Sequence, residues 1–168
     1  SQESTNMRKL ILLLGLVLLV ATPAAAQKAE LLGSFSSFNF DTPNFAVHFY
    51  GGQVSTSANF NEHAGITGDF GAQFRSGVQL YQFLAGPRST ARNPNVTAFD
   101  HTLMGIMHSN IFVPSSTDLA LGFGGGLDVN VNKHFAVRAF QLDYIPFRPS
   151  GTWVHNFRAA VGVVYKWP

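Results

Sequence analysis

The chain contains no cysteine, so no disulfide holds it together. Charge is scarce too: 12% of residues are Asp, Glu, Lys or Arg, about half the share of an ordinary soluble domain. Such a chain has little with which to wet a polar exterior. Motif chemistry is equally thin. The six histidines (His48, His63, His101, His108, His134 and His155) form no H-E-x-x-H or other tight metal-ligand spacing. "GFGGG" at 122–126 lacks the Gly-Lys-Ser/Thr ending of a phosphate-binding loop. Past residue 26 there is no run of 18 apolar residues, so no second membrane helix is expected, and helical periodicity is scarce. Nor is there a Lys/Arg cluster: without residues 1–26 the balance is nine basic against eight acidic residues. The electrostatic footprint of a nucleic-acid binder is missing.

What is abundant is glycine and phenylalanine, 16 of each. Phe and Gly with little charge suit a β-protein with much apolar surface. The N-terminal stretch supplies a context. Arg8 and Lys9 precede an apolar core from Leu10 to Ala21, and Ala24, Ala25 and Ala26 precede Gln27. A basic start, a short apolar core and a small-residue cleavage site are the anatomy of a secretory signal peptide. The core is too short for a spanning helix of ~20 residues. Residues 1–6 then read as an upstream extension, 7–26 as the signal peptide, and 27–168 as one exported domain.

Period-two alternation dominates that domain. In 119–131, Leu119, Leu121, Phe123, Leu127, Val129 and Val131 share one face. Ala120, Gly122, Gly124, Gly126, Asp128 and Asn130 share the other. In 156–167, Phe157, Ala159, Val161, Val163, Tyr165 and Trp167 oppose Arg158, Ala160, Gly162, Val164 and Lys166. In 50–60, Tyr50, Val54, Thr56, Ala58 and Phe60 oppose Gln53, Ser55, Ser57 and Asn59. Turn-forming residues divide the chain into eight expected strands: 29–40, 46–60, 64–73, 78–86, 97–109, 118–131, 135–145 and 156–167. The segment "PRSTARNPN" (87–95) reads as one long turn. In 135–145 Arg138 shares the polar face, but Gln141 and Asp143 then fall on the wrong one. A single β-bulge near Ala139-Phe140 restores them. Strands 29–40 and 97–109 alternate too poorly to assign a facing.

Eight strands, apolar on one side and small or polar on the other, behind a signal peptide, predict an all-β fold. The expected architecture is an eight-stranded antiparallel up-and-down transmembrane β-barrel. A secreted soluble barrel or sandwich would turn the same faces the other way, but its wet exterior would be mostly Gly, Ala, Ser and Asn. Phe60, Tyr144, Tyr165 and Trp167 would form aromatic girdles at the two interfaces. The glycines of "GFGGG" would leave room in a narrow lumen for longer side chains from other strands.

One short pattern occurs twice, "NFNEHAG" at 59–65 and "NVNKHFA" at 130–136. In an eight-strand barrel the two copies lie four strands apart, on a cylinder ~16 Å across. His63 and His134 are then too distant to share a metal at ~2.1 Å. A turn used twice on one rim explains the pattern better.

The segments "AGITGDFGAQF" (64–74), "YQFLAGPRST" (81–90), "LGFGGGLDVNVNKHFAVRAFQLDYIPFR" (121–148) and "NFRAAVGVVYKW" (156–167) resemble the outer-membrane β-barrel domain family. These are the small barrels similar to the membrane domain of outer-membrane protein A. The resemblance covers most of the chain after the signal peptide. It implies a non-enzymatic protein of the bacterial outer membrane. It also implies that Tyr165 and Trp167 form the terminal aromatic signal read by the barrel-assembly machinery. Pro168 after Trp167 departs from that pattern.

The expected partners are thus outer-membrane lipids and, during insertion, the barrel-assembly machinery, with no nucleic acid and a surface partner left open. No cofactor and no metal site is expected. The inward-facing polar residues Asp69, Asp128, Arg138, Gln141, Asp143 and Arg158, with Gln53 and Lys166, should pair because buried charge must be compensated. The predicted result is a salt-bridge network plugging the lumen. Turns 61–63, 87–95 and 132–134 would be periplasmic; 41–44, 74–77, 111–117 and 146–154 would be surface loops of a Gram-negative-type envelope. Two rivals are a narrow pore or small-ligand carrier, and a lipid-modifying enzyme. Against the enzyme, the adjacent pairs His108-Ser109 and Asp100-His101 point to opposite strand faces.

Overall fold

The computed structural model describes residues 28–42, 45–110, 116–148 and 151–167. The expected signal peptide and the residues before it, and parts of the expected loops at 43–44, 111–115 and 149–150, lie outside the described residues. Eight strands follow one another: β1 (Lys28–Thr42), β2 (Phe45–Asn59), β3 (Ala64–Arg75), β4 (Val78–Arg92), β5 (Val96–Ser109), β6 (Ser116–Asn130), β7 (Phe135–Tyr144) and β8 (His155–Trp167). Each pairs antiparallel with the next, and β8 closes on β1. Every strand has a neighbour on both sides, and where β7 ends at Tyr144 the upper part of β6 is met by Phe147 of the β7–β8 connection instead.

The expected long turn at 87–95 is corrected. β4 continues through Pro87 to Arg92, and only 93–95 turn. Pro87 lacks an N–H and cannot donate to the ladder, yet the pairing with β5 resumes unshifted at Arg88↔His101 after Ala85↔Met104. Proline and the Ser, Thr and Asn that follow it resemble loop composition; the ladders on both sides override that local signal.

The register sets the barrel's shape. From Phe38 the pairing runs through Arg158, Asp143, Gly124, His101, Arg88, Gly65 and Asn59 and returns to β1 at Lys28. Phe38 and Lys28 are ten residues apart. A stagger of about ten residues over eight strands gives a tilt of ~41° and a diameter of ~16 Å.

Alternation places the faces as the pattern predicts. Phe35, Val54, Ile66, Phe70, Phe83, Met104, Phe123, Phe157, Val161 and Val163 are exposed on the outside. Gln53, Asp69, Gln82, Asp128, Arg138 and Arg158 are buried inside. The expected bulge is present. Leu127 pairs with Phe140 but Asp128 with Arg138, and the β7–β8 register also slips between Arg138 and Gln141. Ala139 and Phe140 therefore both face outward, while Arg138, Gln141 and Asp143 all face in.

The rim where β1 begins and β8 ends, the rim of the described chain ends, is built from one turn used three times. Asn61 Oδ1 accepts from the N–H groups of His63 and Ala64 at 2.8 and 2.9 Å. Asn132 does the same for His134 and Phe135 at 2.8 and 2.9 Å. Asn93 repeats it for Asn95 and Val96 at 2.9 and 2.8 Å. The carbonyl closing each turn accepts from the next strand: His63 from Thr90 N–H, Asn95 from Asn130 N–H and His134 from Lys166 N–H. Asn does this because its short side chain reaches its own backbone two residues on. At the opposite rim β3 and β4 join by a two-residue turn with Ser76 at φ 47° and Gly77 at φ 82°, the left-handed pair that matches strand twist.

The lumen is filled in two stacked layers. Near the opposite rim, Phe38, Phe49, Leu80, Leu84, Leu103, Met107, Ala120, Ile145 and Phe147 form an apolar plug. Phe147 comes from the β7–β8 connection, which folds back to bridge Ala120 and Val154. Toward the rim of the chain ends the filling is mostly polar, with a small apolar cluster of Leu32, Ala136 and Val164.

Candidate functional site: the lumen network

Strand alternation alone aims a set of charges at one axis. Arg158 is fully buried and lies between two carboxylates. Its Nη1 and Nη2 donate to Asp69 Oδ1 and Oδ2 at 2.9 and 3.2 Å. Its Nε and Nη2 donate to Asp143 Oδ2 at 3.0 and 2.7 Å. Asp69 also accepts from Ser55 Oγ at 2.8 Å and from the Gln53 amide. Asp143 also accepts from Gln141 Nε2 at 2.7 Å. Arg138 then makes the next link, gripping Asp128 through Nε and Nη2 at 2.7 and 2.9 Å and Gln141 Oε1 through Nη1 at 2.7 Å. All six residues named from the sequence are thus brought into one connected array. Gln53 is part of it. Lys166 sits apart at the mouth, donating to Asn130 Oδ1 at 2.7 Å.

Four members were not anticipated. Arg88 meets Glu30 at 2.5 Å and Asp128 at 3.9 Å. Arg92 meets Glu30 at 3.1 Å. His101 Nε2 lies 2.7 Å from Asp143 Oδ1. Arg88 and Arg92 belong to the stretch taken for a turn; Glu30 and His101 belong to the two strands whose alternation is weak. The array therefore holds Glu30, Asp69, Asp128 and Asp143 against Arg88, Arg92, Arg138 and Arg158. Equal numbers of each sign are what a low-dielectric lumen requires. The Arg138 and Arg88 guanidinium carbons lie 4.0 and 4.8 Å from the Phe99 ring centroid, so one aromatic faces two cations. A further amide chain crosses the lumen from Gln82 to Gln73 to Ser36 Oγ, the last step 2.8 Å long.

The glycines of "GFGGG" make this packing possible. A Cβ at Gly124 would sit 2.2 Å from Asp143 Oδ1. One at Gly126 would sit 3.0 Å from Phe99 Cζ, and one at Gly122 would press on Leu84 and Leu103 at 3.3 Å.

Glu30, Ser57, Asp69, Arg88, His101 and Arg138 are among the residues around an enclosed cavity of about 10 Å³, room for about one water. A wider mouth of about 460 Å³ opens at the rim of the chain ends beside Arg92, Asn130, Lys133 and Lys166.

The other histidines do not join this site. His63 and His134 lie in turns four strands apart on the barrel wall. His134 stacks on Tyr165, with ring centroids 6.3 Å apart. His108 faces outward and hydrogen-bonds Thr117 Oγ1 at 2.7 Å, while Ser109 is buried on the opposite face. His101 and Asp143 form a buried acid–imidazole pair, but among the described residues no hydroxyl is hydrogen-bonded to that imidazole. Phe60, Tyr165 and Trp167 gather at the rim of the chain ends, where Tyr165 meets Trp167 edge-on at 4.8 Å. Tyr144 lies toward the other rim, stacked on His155.

A closed eight-stranded up-and-down barrel with an apolar outside and a side-chain-filled inside defines the fold of the small outer-membrane β-barrels. Solved structures agree. Neisserial surface protein A superposes with a TM-score of 0.70 at 12% identity, over 83% of this chain and 97% of that one. Ail, the attachment invasion locus protein of Yersinia pestis, gives 0.62 at 18% identity, over 84% and 99%. The N-terminal barrel domain of Pseudomonas aeruginosa OprF gives 0.58 at 15% identity, over 86% and 100%. The sequence matches no protein-family model and no curated protein.

Proposed function

We propose that this chain is a non-enzymatic barrel of the bacterial outer membrane with a structural or surface-interaction role, exported by a cleaved signal peptide. The observation that carries this reading is the doubly closed lumen. An ion-paired layer and an apolar layer are stacked inside a wall whose exterior is Phe, Val, Leu and Ile. That exterior suits lipid as partner. That side-chain-filled interior favours a closed barrel over the pore and carrier readings. The turns at 60–63, 93–95 and 131–134 are short, as periplasmic turns are, and the rim bearing the β7–β8 connection faces outward from the cell. Trp153, 41% exposed, with the Arg148 guanidinium carbon 5.9 Å from its ring centroid, offers a contact point for a surface partner there. Tyr165 and Trp167, ending the last strand, would be what the barrel-assembly machinery reads.

The test is cell fractionation with heat-modifiable gel migration, followed by planar-bilayer recording of the purified chain. Expected are an outer-membrane band that shifts on boiling and a bilayer without discrete conductance steps. Steady open steps would favour a pore; a periplasmic band that does not shift would end the membrane reading. A change in lipid A or phospholipid that depends on His101 would replace this reading with an enzyme.

A further inference from the structure

Between the rims, and among the described side chains, the outward face carries one charged residue, Asp100. It is exposed, and no hydrogen bond or ion pair within the described residues engages its carboxylate. It stands four residues along β5 from Val96. At ~3.3 Å per residue and a tilt of ~41°, that is ~10 Å above the rim of the chain ends, inside the level of the apolar belt. Its cross-strand partners are Ser89 on β4 and Gly125 on β6. Ala91 pairs with Ala98 just below, and Thr102 follows on β5. None of these is a large apolar residue; the β6 partners of Ala98 and Thr102, Leu127 and Phe123, flank the patch on its other side. The corresponding stretches of β1, β3, β7 and β8 present Leu31, Ile66, Val137 and Val163 to the outside.

A carboxylate facing hydrocarbon has no water to solvate it and must find a donor. We propose that a second copy of the chain supplies it. Asp100 of each copy accepts a hydrogen bond from Ser89 Oγ of the other. The proposal rests on the membrane reading above. Two copies inserted in the same direction are related by a two-fold axis parallel to the barrel axis, so each residue meets partner residues near its own depth, and the tilt leaves Ser89 only ~3 Å below Asp100, within side-chain reach. An axis passing between Ser89 and Asp100 exchanges β4 with β5. It sets Asp100 against Ser89 twice, and Ala98 against Ala91 twice, the self-complementary arrangement that an isologous contact demands. Strands tilted ~41° in each barrel cross at ~80°, so contact is confined to the few residues at the crossing. Those are the small ones, which let the two walls approach closely. The hydroxyl-to-carboxylate bonds are charge-assisted and excluded from water, where such bonds are strongest, and they must outweigh the repulsion between the two Asp100 carboxylates that the same axis brings together.

The chain has no native cysteine, so single cysteines report without background. The test mixes full-length Ala91→Cys copies with Ala98→Cys copies in phosphatidylcholine vesicles under mild oxidation, with Phe35→Cys copies as the distant-face control. Expected are disulfide-linked pairs joining position 91 to position 98 and none through position 35. Energy transfer between labelled copies should fall at least tenfold in Asp100→Leu and in Ser89→Ala. Asp100→Leu adds an apolar residue to a lipid face, so it should insert as well as the parent, checked by heat-modifiable migration in the same vesicles. The dimer is overturned if the parent chain stays monomeric at every protein-to-lipid ratio, if Asp100→Leu associates undiminished, or if position 35 cross-links equally. It is also overturned if phosphatidylethanolamine abolishes association, marking a headgroup ammonium as the donor, or if the cysteines in native membranes link to another protein. A chain that never inserts overturns the membrane reading itself, and the dimer with it.

Discussion

Arg158 offers the sharpest test of the lumen network. It is fully buried and makes four donations to carboxylates, two to Asp69 and two to Asp143, between 2.7 and 3.2 Å, and a fifth to Gln82 Oε1 at 3.5 Å. Arg158→Met keeps much of the volume but removes the charge and all five bonds. Two carboxylates then remain in a lumen with room for about one water. Removing one partner of a buried pair costs about 3–5 kcal/mol. Asp69 keeps Ser55 and Gln53, and Asp143 keeps His101 and Gln141. The two losses should therefore not add in full, and the expected total is about 4 kcal/mol. The measurement is urea unfolding of vesicle-folded protein, extrapolated linearly to water. Adding Asp69→Asn to Arg158→Met removes one orphaned charge and should recover about 2 kcal/mol, a coupling that simple additivity forbids. Arg158→Lys keeps the charge but cannot span both carboxylates with a planar fork, so a loss of about 1–2 kcal/mol is expected. If Arg158→Met unfolds within about 1 kcal/mol of the parent, or if the double variant is merely additive, the network is not what holds the lumen closed.

The remaining predictions probe the frame around it. Asn61→Ala, Asn93→Ala and Asn132→Ala should each cost about 1 kcal/mol, and together about 3 kcal/mol, because the three turns share no partners; a triple variant as stable as the parent in urea would strip the Asn turns of their role. Gly124→Ala should cost about 3 kcal/mol, since its new methyl would meet Asp143 Oδ1 at 2.2 Å and the Leu142 carbonyl at 2.3 Å. Gly33→Ala meets nothing within 4 Å and should be neutral or gain about 0.5 kcal/mol; equal losses at both sites would refute the steric account. Deleting Ala139 should leave a folded, heat-modifiable barrel, because Arg138, Phe140 and Gln141 then alternate in, out, in, and Phe140 can pair with both Leu127 and Val161. Deleting Leu142 inverts one side of β7 and should abolish the folded band; the opposite outcome would mean the bulge is misplaced.

The facing of β2, β6 and β8, and of β7 once its bulge is allowed for, can be read directly because the two environments of a barrel wall differ so sharply. Lipid outside asks for Phe, Leu and Val, and a lumen ~16 Å across asks for Gly, Ala, Ser and paired charge. Even the bulge is visible in the sequence, since Gln141 and Asp143 can share a face with Arg138 only if one extra residue intervenes. What local pattern does not show is pairing across the lumen. Arg158 and Asp69 are 89 positions apart, and only closure of the sheet puts them opposite one another. Glu30 and His101 lie on strands whose outward positions include Gly33, Ser37, Asp100 and Thr102, which blurs the alternation that would have assigned them. Arg88 and Arg92 sit in a run rich in Pro, Ser, Thr and Asn, where local composition favours a turn and the ladders to β3 and β5 prevail. The same run hides the third Asn turn. "N-x-N-x-H" draws attention to its histidines, but the working residue is the second Asn. Asn93 performs the same task with Pro94 and Asn95 where the others have a charge and a histidine. The repeat is a capping rule of the rim that holds the chain ends, and the histidine marks only two of its three uses.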